Sequence, residues 1–227
     1  MAQPKCFWLA GVSDATSVKS DAFYITLAGD LLGHPTLSAR RPNHVAVLDD
    51  DLPHGLDVGQ VYIYGHCDGR RLGYDLATEW GPNSYDPEQL ANAFAARFAG
   101  RHAEVRKIKI FGCLSAVRRG GASFAERFAR ALQRTPFAGA EIYGYVGWVL
   151  YSPPDSSRKG VYLRERPGRA PGTQVYSKIV PAQGQRVQYA VGADGAVSKY
   201  HPGDLKPPVF AEDDEPTGCI RIPCVVQ

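Results

Sequence analysis

The sequence predicts an α/β fold in which a mostly parallel sheet is flanked by helices, followed by a β-rich C-terminal extension of hairpins. Three observations predict it. Between residues 58 and 152, apolar runs rich in β-branched and aromatic residues alternate with two amphipathic stretches that carry helix caps. The links between them are short, as in sheets built from right-handed crossovers. After about residue 152 the helical periodicity stops, and turn signals separate short β-type runs. The 227 residues are read as one domain, with an α/β core over 1–151 and the extension over 152–227.

The elements follow in order. The N-terminal third offers three β-type runs, Cys6–Val12, Phe23–Gly29 and His44–Leu48, separated by turn-rich stretches. QVYIYGH, residues 60–66, reads as a buried strand ending at Gly65-His66. A helix follows: Asp86 is its N-cap, Pro87 suits the first helical position, and Gln89 completes a capping box. Leu90, Phe94 and Phe98 form its apolar stripe, and Gly100 ends it. KIKIFGC, residues 107–113, is the second strand of this series, ending at Gly112-Cys113. Ser123 and Glu126 have capping-box spacing for a second helix whose stripe is Phe124, Phe128 and Leu132. Glu141–Tyr151 reads as the third strand. In the extension, Asp194-Gly195 flanked by apolar alternation is a hairpin turn.

Composition narrows the class. The chain is 44% hydrophobic and 22% charged, which excludes a disordered chain and supports one sizeable core. The 24 Gly and 17 Pro have no period, which excludes collagen-like repetition. Five Cys in a chain this long make no disulfide framework. The first residues lack the apolar region of a Sec signal peptide, and no run reaches the ~18 apolar residues of a spanning helix. The protein is therefore expected to be soluble and made in a reducing cytoplasm. It either stays there or leaves without a Sec signal, delivery into a host cell being one such route. The net charge of +3 hides a segregation: residues 96–178 hold 16 basic and five acidic residues, a net +11. This segment reads as Arg-rich solvated helix faces or as an anion-facing surface.

In parallel sheets, functional residues collect at the carboxyl ends of the strands. His66 and Cys113 sit at such ends on consecutive strands, each preceded by Gly. A thiolate attacks a carbonyl, and an imidazole protonates the leaving amine. Main-chain amides beside Gly65, Cys67 and Gly112 are candidate oxyanion donors. For Cys113 alone, a buried small hydrophobe is the ordinary fate; its ordered pairing with His66 favours catalysis. The chemistry requires no metal or cofactor. A zinc set of Cys67, His66 and Cys113 lacks the usual tight ligand pairs. Asp86 is better explained as a cap than as a catalytic helper, and Arg118 and Arg119 read as exposed.

QVYIYGHCDG, the capped helix, KIKIFGCLSA, SFAERFARAL and EIYGYVGWV together resemble the clan CD, caspase-like cysteine peptidases. The nearest resemblance is to the self-processing cysteine protease domain of large bacterial RTX-type and clostridial toxins. It covers roughly residues 58–152. It implies a caspase-like sheet, Cys113 as nucleophile and His66 as general acid. It also implies a protein or peptide substrate and no nucleic-acid partner. The family usually has Gly after the His, where this chain has Cys67, a side chain expected either to crowd the oxyanion donor or to be a redox-sensitive neighbour. The third strand of the family lines the substrate pocket, which makes Tyr145 and Trp148 lining residues; buried core is the competing reading. The toxin domains use an inositol polyphosphate to order a basic β-flap. Arg158, Lys159, Arg164, Arg166, Arg169 and Lys178 would offer such a patch here, without a residue-by-residue match.

Two further function classes stay open from sequence. One is another thiol acyl-transfer enzyme, a deamidase or transpeptidase, on the same dyad. The other is a non-catalytic anion- or partner-binding protein. At the C-terminus, Cys224-Val225-Val226-Gln227 has the form of a prenylation signal, with Cys219 as a second lipid site. A membrane enters only if Cys224 is lipidated in a host cell. The acidic segment before it and the β-like IRIPCVV favour a terminal core strand.

Overall fold

Strands whose residues are apolar at nearly every position must be covered on both faces, and this chain assembles its sheet from such strands. A computed structural model describes residues 5–12, 44–49, 55–73, 83–118, 121–146, 148–150, 160–167, 174–181, 185–191 and 196–200. The elements are β1 (Lys5–Leu9), β2 (His44–Val47), β3 (Gln60–Tyr64), β4 (His66–Cys67), β5 (Leu72–Gly73), β6 (Ser84–Tyr85), α1 (Pro87–Arg97), β7 (Lys107–Phe111) and α2 (Phe124–Leu132). They continue as β8 (Glu141–Tyr145), β9 (Trp148–Leu150), β10 (Gly160–Pro167), β11 (Gln174–Pro181), β12 (Arg186–Val191) and β13 (Val197–Tyr200). The run Phe23–Gly29 lies outside the described residues.

The protein is α/β. The main sheet has the order β13-β12-β8-β7-β3-β1-β2. β2, β1, β3, β7 and β8 are parallel, and β12 and β13 are added antiparallel at one side. Two smaller sheets accompany it, β4-β5-β6 and β9-β10-β11.

Side chains alternate across the strands. Cys6, Trp8, Val61, Ile63, Ile108, Ile110 and Ile142 join Leu90, Phe94, Phe98, Phe124, Phe128 and Leu132 in one core beneath the two helices. The other face is aromatic: Phe7 stacks on Tyr62 at 4.6 Å, Tyr64 on Phe111 at 5.9 Å, and Phe111 meets Tyr145 edge-on at 5.2 Å. The helices touch through Phe94 and Phe128 and through an Arg127–Glu88 ion pair of 2.8 Å. α2 sits close on β8 because Gly144 has no Cβ; one would lie 2.7 Å from Ala125 Cβ.

The box at Asp86 forms in full, whereas at Ser123 only the N-cap half forms, because the Glu126 side chain turns to arginines instead. The Asp86 carboxylate accepts from the Gln89 amide and the Gln89 side chain accepts from the Asp86 amide, at 2.8 and 3.0 Å. Ser123 Oγ accepts from the Glu126 amide at 3.2 Å. The Glu126 carboxylate is engaged by Arg130 and Arg118. Arg118, expected to be simply exposed, is thus half-buried and paired; Arg119 lies outside the described residues.

Three sequence boundaries shift. QVYIYGH is not one strand: β3 stops at Tyr64, and His66 opens the small β4-β5-β6 sheet. Glu141–Tyr151 divides into β8, in the main sheet, and β9, which joins β10. The hairpin expected to pack on the core instead extends it, since β12 pairs with β8 from Arg186↔Tyr145 to Tyr189↔Ile142. β12 and β13 are antiparallel as a hairpin requires; the Asp194-Gly195 turn itself lies outside the described residues.

The parallel edge of the sheet is tied by Asp49, which the sequence reading passed over. Its carboxylate accepts from Trp8 Nε1 at 2.7 Å, from the Tyr85 hydroxyl at 3.1 Å and from the Gly11 amide at 3.3 Å. Arg97 donates to its main-chain carbonyl. Burial raises the Asp49 pKa above its ordinary 3.8, and the three donors and Arg97 only partly offset this. The folded state therefore holds the proton more readily than the unfolded chain. This group's contribution to stability falls as pH rises from 3.8 through the raised value, and is level above it.

Two outcomes follow from these contacts. Asp86→Ala, which removes the carboxylate that accepts from the Gln89 amide, should cost about 1 kcal/mol and lower the thermal midpoint by about 2–4 °C. In urea titrations from about pH 4 to about pH 7, the wild type should lose stability relative to Asp49→Asn as pH rises. Parallel pH profiles for the two proteins would contradict the burial argument.

Candidate active site

β3 and β7 pair in parallel from Gln60↔Lys107 to Tyr64↔Phe111. Each strand is followed by Gly and then by a chemically active residue, so His66 and Cys113 leave adjacent strands at the same level. Both stand at the carboxyl ends of the sheet. The strand order reverses between β1 and β3, so β3, which delivers His66, borders the switch point where open α/β sheets place their ligands, and β7, which delivers Cys113, is the next strand.

Gly65 and Gly112 lie side by side there. A Cβ on Gly112 would fall 3.1 Å from the Gly65 carbonyl oxygen, 2.7 Å from Cys67 Cβ and 2.9 Å from Leu72 Cδ1. This close approach is why the position is glycine.

His66 is 5% exposed and is set by β4, which pairs with β5 at His66↔Gly73. Its neighbour Cys67 points to the opposite side, as strand alternation dictates. Cys67 joins Leu72 in the helix-side core, and its Sγ accepts from the Gly69 amide at 3.4 Å. The expectation that this side chain crowds the oxyanion donor is thereby corrected: it fills the core under Gly112. Asp68 shapes the β4–β5 turn, its carboxylate accepting from the Arg70 and Arg71 amides at 2.7 and 2.9 Å.

Cys113 is 3% exposed. Its thiol faces the Val149 carbonyl oxygen of β9 at 4.0 Å. Leu114, the next residue, has φ of +57°, a left-handed conformation uncommon for a side chain of this kind. Direct β7–β8 pairing runs from Lys107↔Glu141 to Lys109↔Tyr143. Beyond it the chain after Cys113 folds back between the strands. Ser115 Oγ donates to the Ile110 carbonyl at 2.9 Å and accepts from the Tyr145 amide at 3.0 Å. The Ala116 amide donates to the Tyr145 carbonyl at 2.9 Å, and the Ala125 amide of α2 to the Ser115 carbonyl at 2.8 Å. From β12, the Tyr189 hydroxyl bonds Ser123 Oγ at 2.9 Å and reaches the Ala116 carbonyl at 3.5 Å.

Of the two places expected for Tyr145, pocket lining or core, it is buried against Phe111. Burial drives its pKa far up, followed by the influence of Tyr62, so its phenol stays neutral. The main chain of Trp148 lies in β9, opposite Tyr162 of β10. Of the basic flap residues, Arg164 and Arg166 lie in β10 and Lys178 in β11, where irregularities interrupt the register at Leu163/Arg164 and Arg164/Arg166. Arg158, Lys159, Arg169, Cys219 and Cys224 lie outside the described residues. Among the described residues, no three His, Cys, Asp or Glu side chains converge to hold a metal, and no helix is long and apolar enough to cross a membrane.

Among the described residues of the basic middle segment, several stand far from Cys113. Arg106 and Lys107 stand at the opposite ends of the strands, where their amides bond the Gly59 carbonyl, and Arg101 pairs there with Glu104. A cavity of about 290 Å³ at that end, lined by His102, Arg106, Phe137 and Glu141 among others, is remote from the dyad. Burial pushes the Cys6 pKa up to about 12 despite Arg97 and Arg101.

Sequence reasoning missed Val149, Ser115, Leu114 and Tyr189. A serine inside the apolar run GCLSA was the one visible hint of Ser115. Two of these contacts span more than 60 residues and leave no local pattern. No protein-family model matches the chain, and no curated protein matches it.

The close approach at Gly112 is testable in urea. Gly112→Ala should cost about 1–3 kcal/mol through overpacking. Adding Cys67→Gly, which removes the nearest atom, should recover part of that loss. An additive double variant would contradict the contact.

Proposed function

We propose that the protein is a cysteine peptidase of caspase-like fold, in which Cys113 is the nucleophile and His66 the general acid. One observation carries this reading: the in-register ends of β3 and β7, each continued by Gly and then by His66 or Cys113. The Cys113 thiolate attacks the scissile carbonyl carbon, and an S–C bond forms as the carbonyl oxygen gains the charge. Collapse of that intermediate breaks the C–N bond, and the amine leaves with a proton from His66. Water then adds to the thioester, the S–C bond breaks, and the acid product and the thiol are released. The substrate is a protein or peptide, with processing of the chain itself, as a toxin- or effector-associated enzyme, as one form of it. A deamidase or transpeptidase would run the same acyl-transfer half-reaction to a different acceptor or from a side-chain amide.

The Val149 carbonyl over the Cys113 thiol supports a closed state that opens to admit substrate. β9 is hydrogen-bonded to β10, the strand carrying Arg164 and Arg166. An anionic regulator such as an inositol polyphosphate, acting on that hairpin, would thus bear on the strand that covers the nucleophile.

A second reading is favoured by burial. Cys113 and His66 are both almost inaccessible, as they would be in a non-catalytic binding protein of this fold.

A peptide library and a thiol-directed peptidyl probe decide between them. The peptidase should cleave a subset of peptides and be labelled at Cys113, with or without added inositol hexakisphosphate. Cys113→Ala should abolish both, and His66→Ala should abolish cleavage. No cleavage, with labelling indifferent to His66→Ala, would overturn the peptidase.

A further inference from the structure

We propose that Ser115 is the positioning residue for Cys113; this rests on Cys113 being the nucleophile. The case begins with where the β7–β8 ladder ends. Pairing stops at Lys109↔Tyr143, yet the Ile110 carbonyl and the Tyr145 amide beyond it remain buried and need partners. The Ser115 hydroxyl supplies both, donating to one at 2.9 Å and accepting from the other at 3.0 Å. One side chain stands where a main-chain bond between the strands would otherwise be. It holds the strands apart and pins the returning chain two residues after Cys113.

That pin has a consequence for Leu114. Gly112 is fixed at the end of β7, against Gly65 and Cys67. Ser115 is fixed between β7 and β8, and its carbonyl is fixed to the Ala125 amide of α2. The two residues between these anchors must reverse the chain. Leu114 takes the left-handed conformation that does so. A residue of this type leaves that conformation when its surroundings no longer hold it there. Without the Ser115 hydroxyl, Leu114 relaxes and the direction of Cys113 relaxes with it. Ser115 acts through the main chain, since its hydroxyl bonds the Ile110 carbonyl and the Tyr145 amide. Its side chain is fully buried.

The experiment uses a peptidyl acyloxymethyl ketone on the full chain, separating its maximal inactivation rate from its half-saturating concentration. Ser115→Ala should lower the maximal rate at Cys113 by about 10- to 100-fold, the scale of a misplacement near 1 Å. Half-saturation should stay within about twofold. Phe137→Leu, a core change at the opposite end of the strands, is the control for destabilisation alone and should leave the rate unchanged. Ser115→Thr, which keeps the hydroxyl, should restore most of the rate. If Ser115→Ala does not fold, Ser115→Cys, with a weaker donor in the same place, replaces it. A maximal rate equal to or above wild type, or an equal loss in Phe137→Leu, would overturn the assignment. If wild-type Cys113 is not labelled, the peptidase reading itself fails, a result distinct from either.

Discussion

Five consecutive residue pairs, Gln60↔Lys107 to Tyr64↔Phe111, hold β3 against β7. Their spacing governs what stands beyond their ends. A slip of one residue would move every side chain of one strand to the wrong face. Ile63 and Ile110 would leave the helix-side core, Tyr64 and Phe111 would lose their stacking, and Gly112 would no longer meet Gly65. The two faces of the sheet, one aliphatic under the helices and one aromatic, therefore specify the same register that brings His66 and Cys113 level.

Past the ladder, backbone hydrogen bonding has to be satisfied by other means, and this is where the site is made. On the His66 side the chain starts a small antiparallel sheet with its own turn, shaped by Asp68 and tied to the main sheet through Tyr85 and Asp49. On the Cys113 side it folds back between two strands, pinned by Ser115 and braced from β12 by Tyr189. The two residues are thus carried by separately anchored segments that meet where Gly112 approaches Gly65, Cys67 and Leu72. β9 closes over the thiol from a third direction.

Charge is distributed differently from what its position in the sequence suggests. The basic segment includes the helix before β7, the start of β7 and α2, and these lie along the length of the sheet rather than at one end. Arg101, Lys107, Arg118, Arg127 and Arg130 each meet a carboxylate. For these described residues the solvated, paired helix face accounts for the Arg-rich composition.

By itself, the sequence determined the α/β class, the caps at Asp86 and Ser123, the apolar stripes and the Gly-His and Gly-Cys steps at consecutive strand ends. These are local patterns, because periodicity and capping act over a few residues. It could not tell that Glu141–Tyr151 divides between two sheets, since an unbroken apolar run looks the same whether or not its halves share a partner. Nor could it tell that Cys67 turns into the core, that β12 and β13 complete the main sheet, or that Ser115 and Val149 flank Cys113. Those features depend on main-chain groups brought together from distant parts of the chain. A carbonyl is the same in every residue, so only the tertiary structure decided which one faces the thiol.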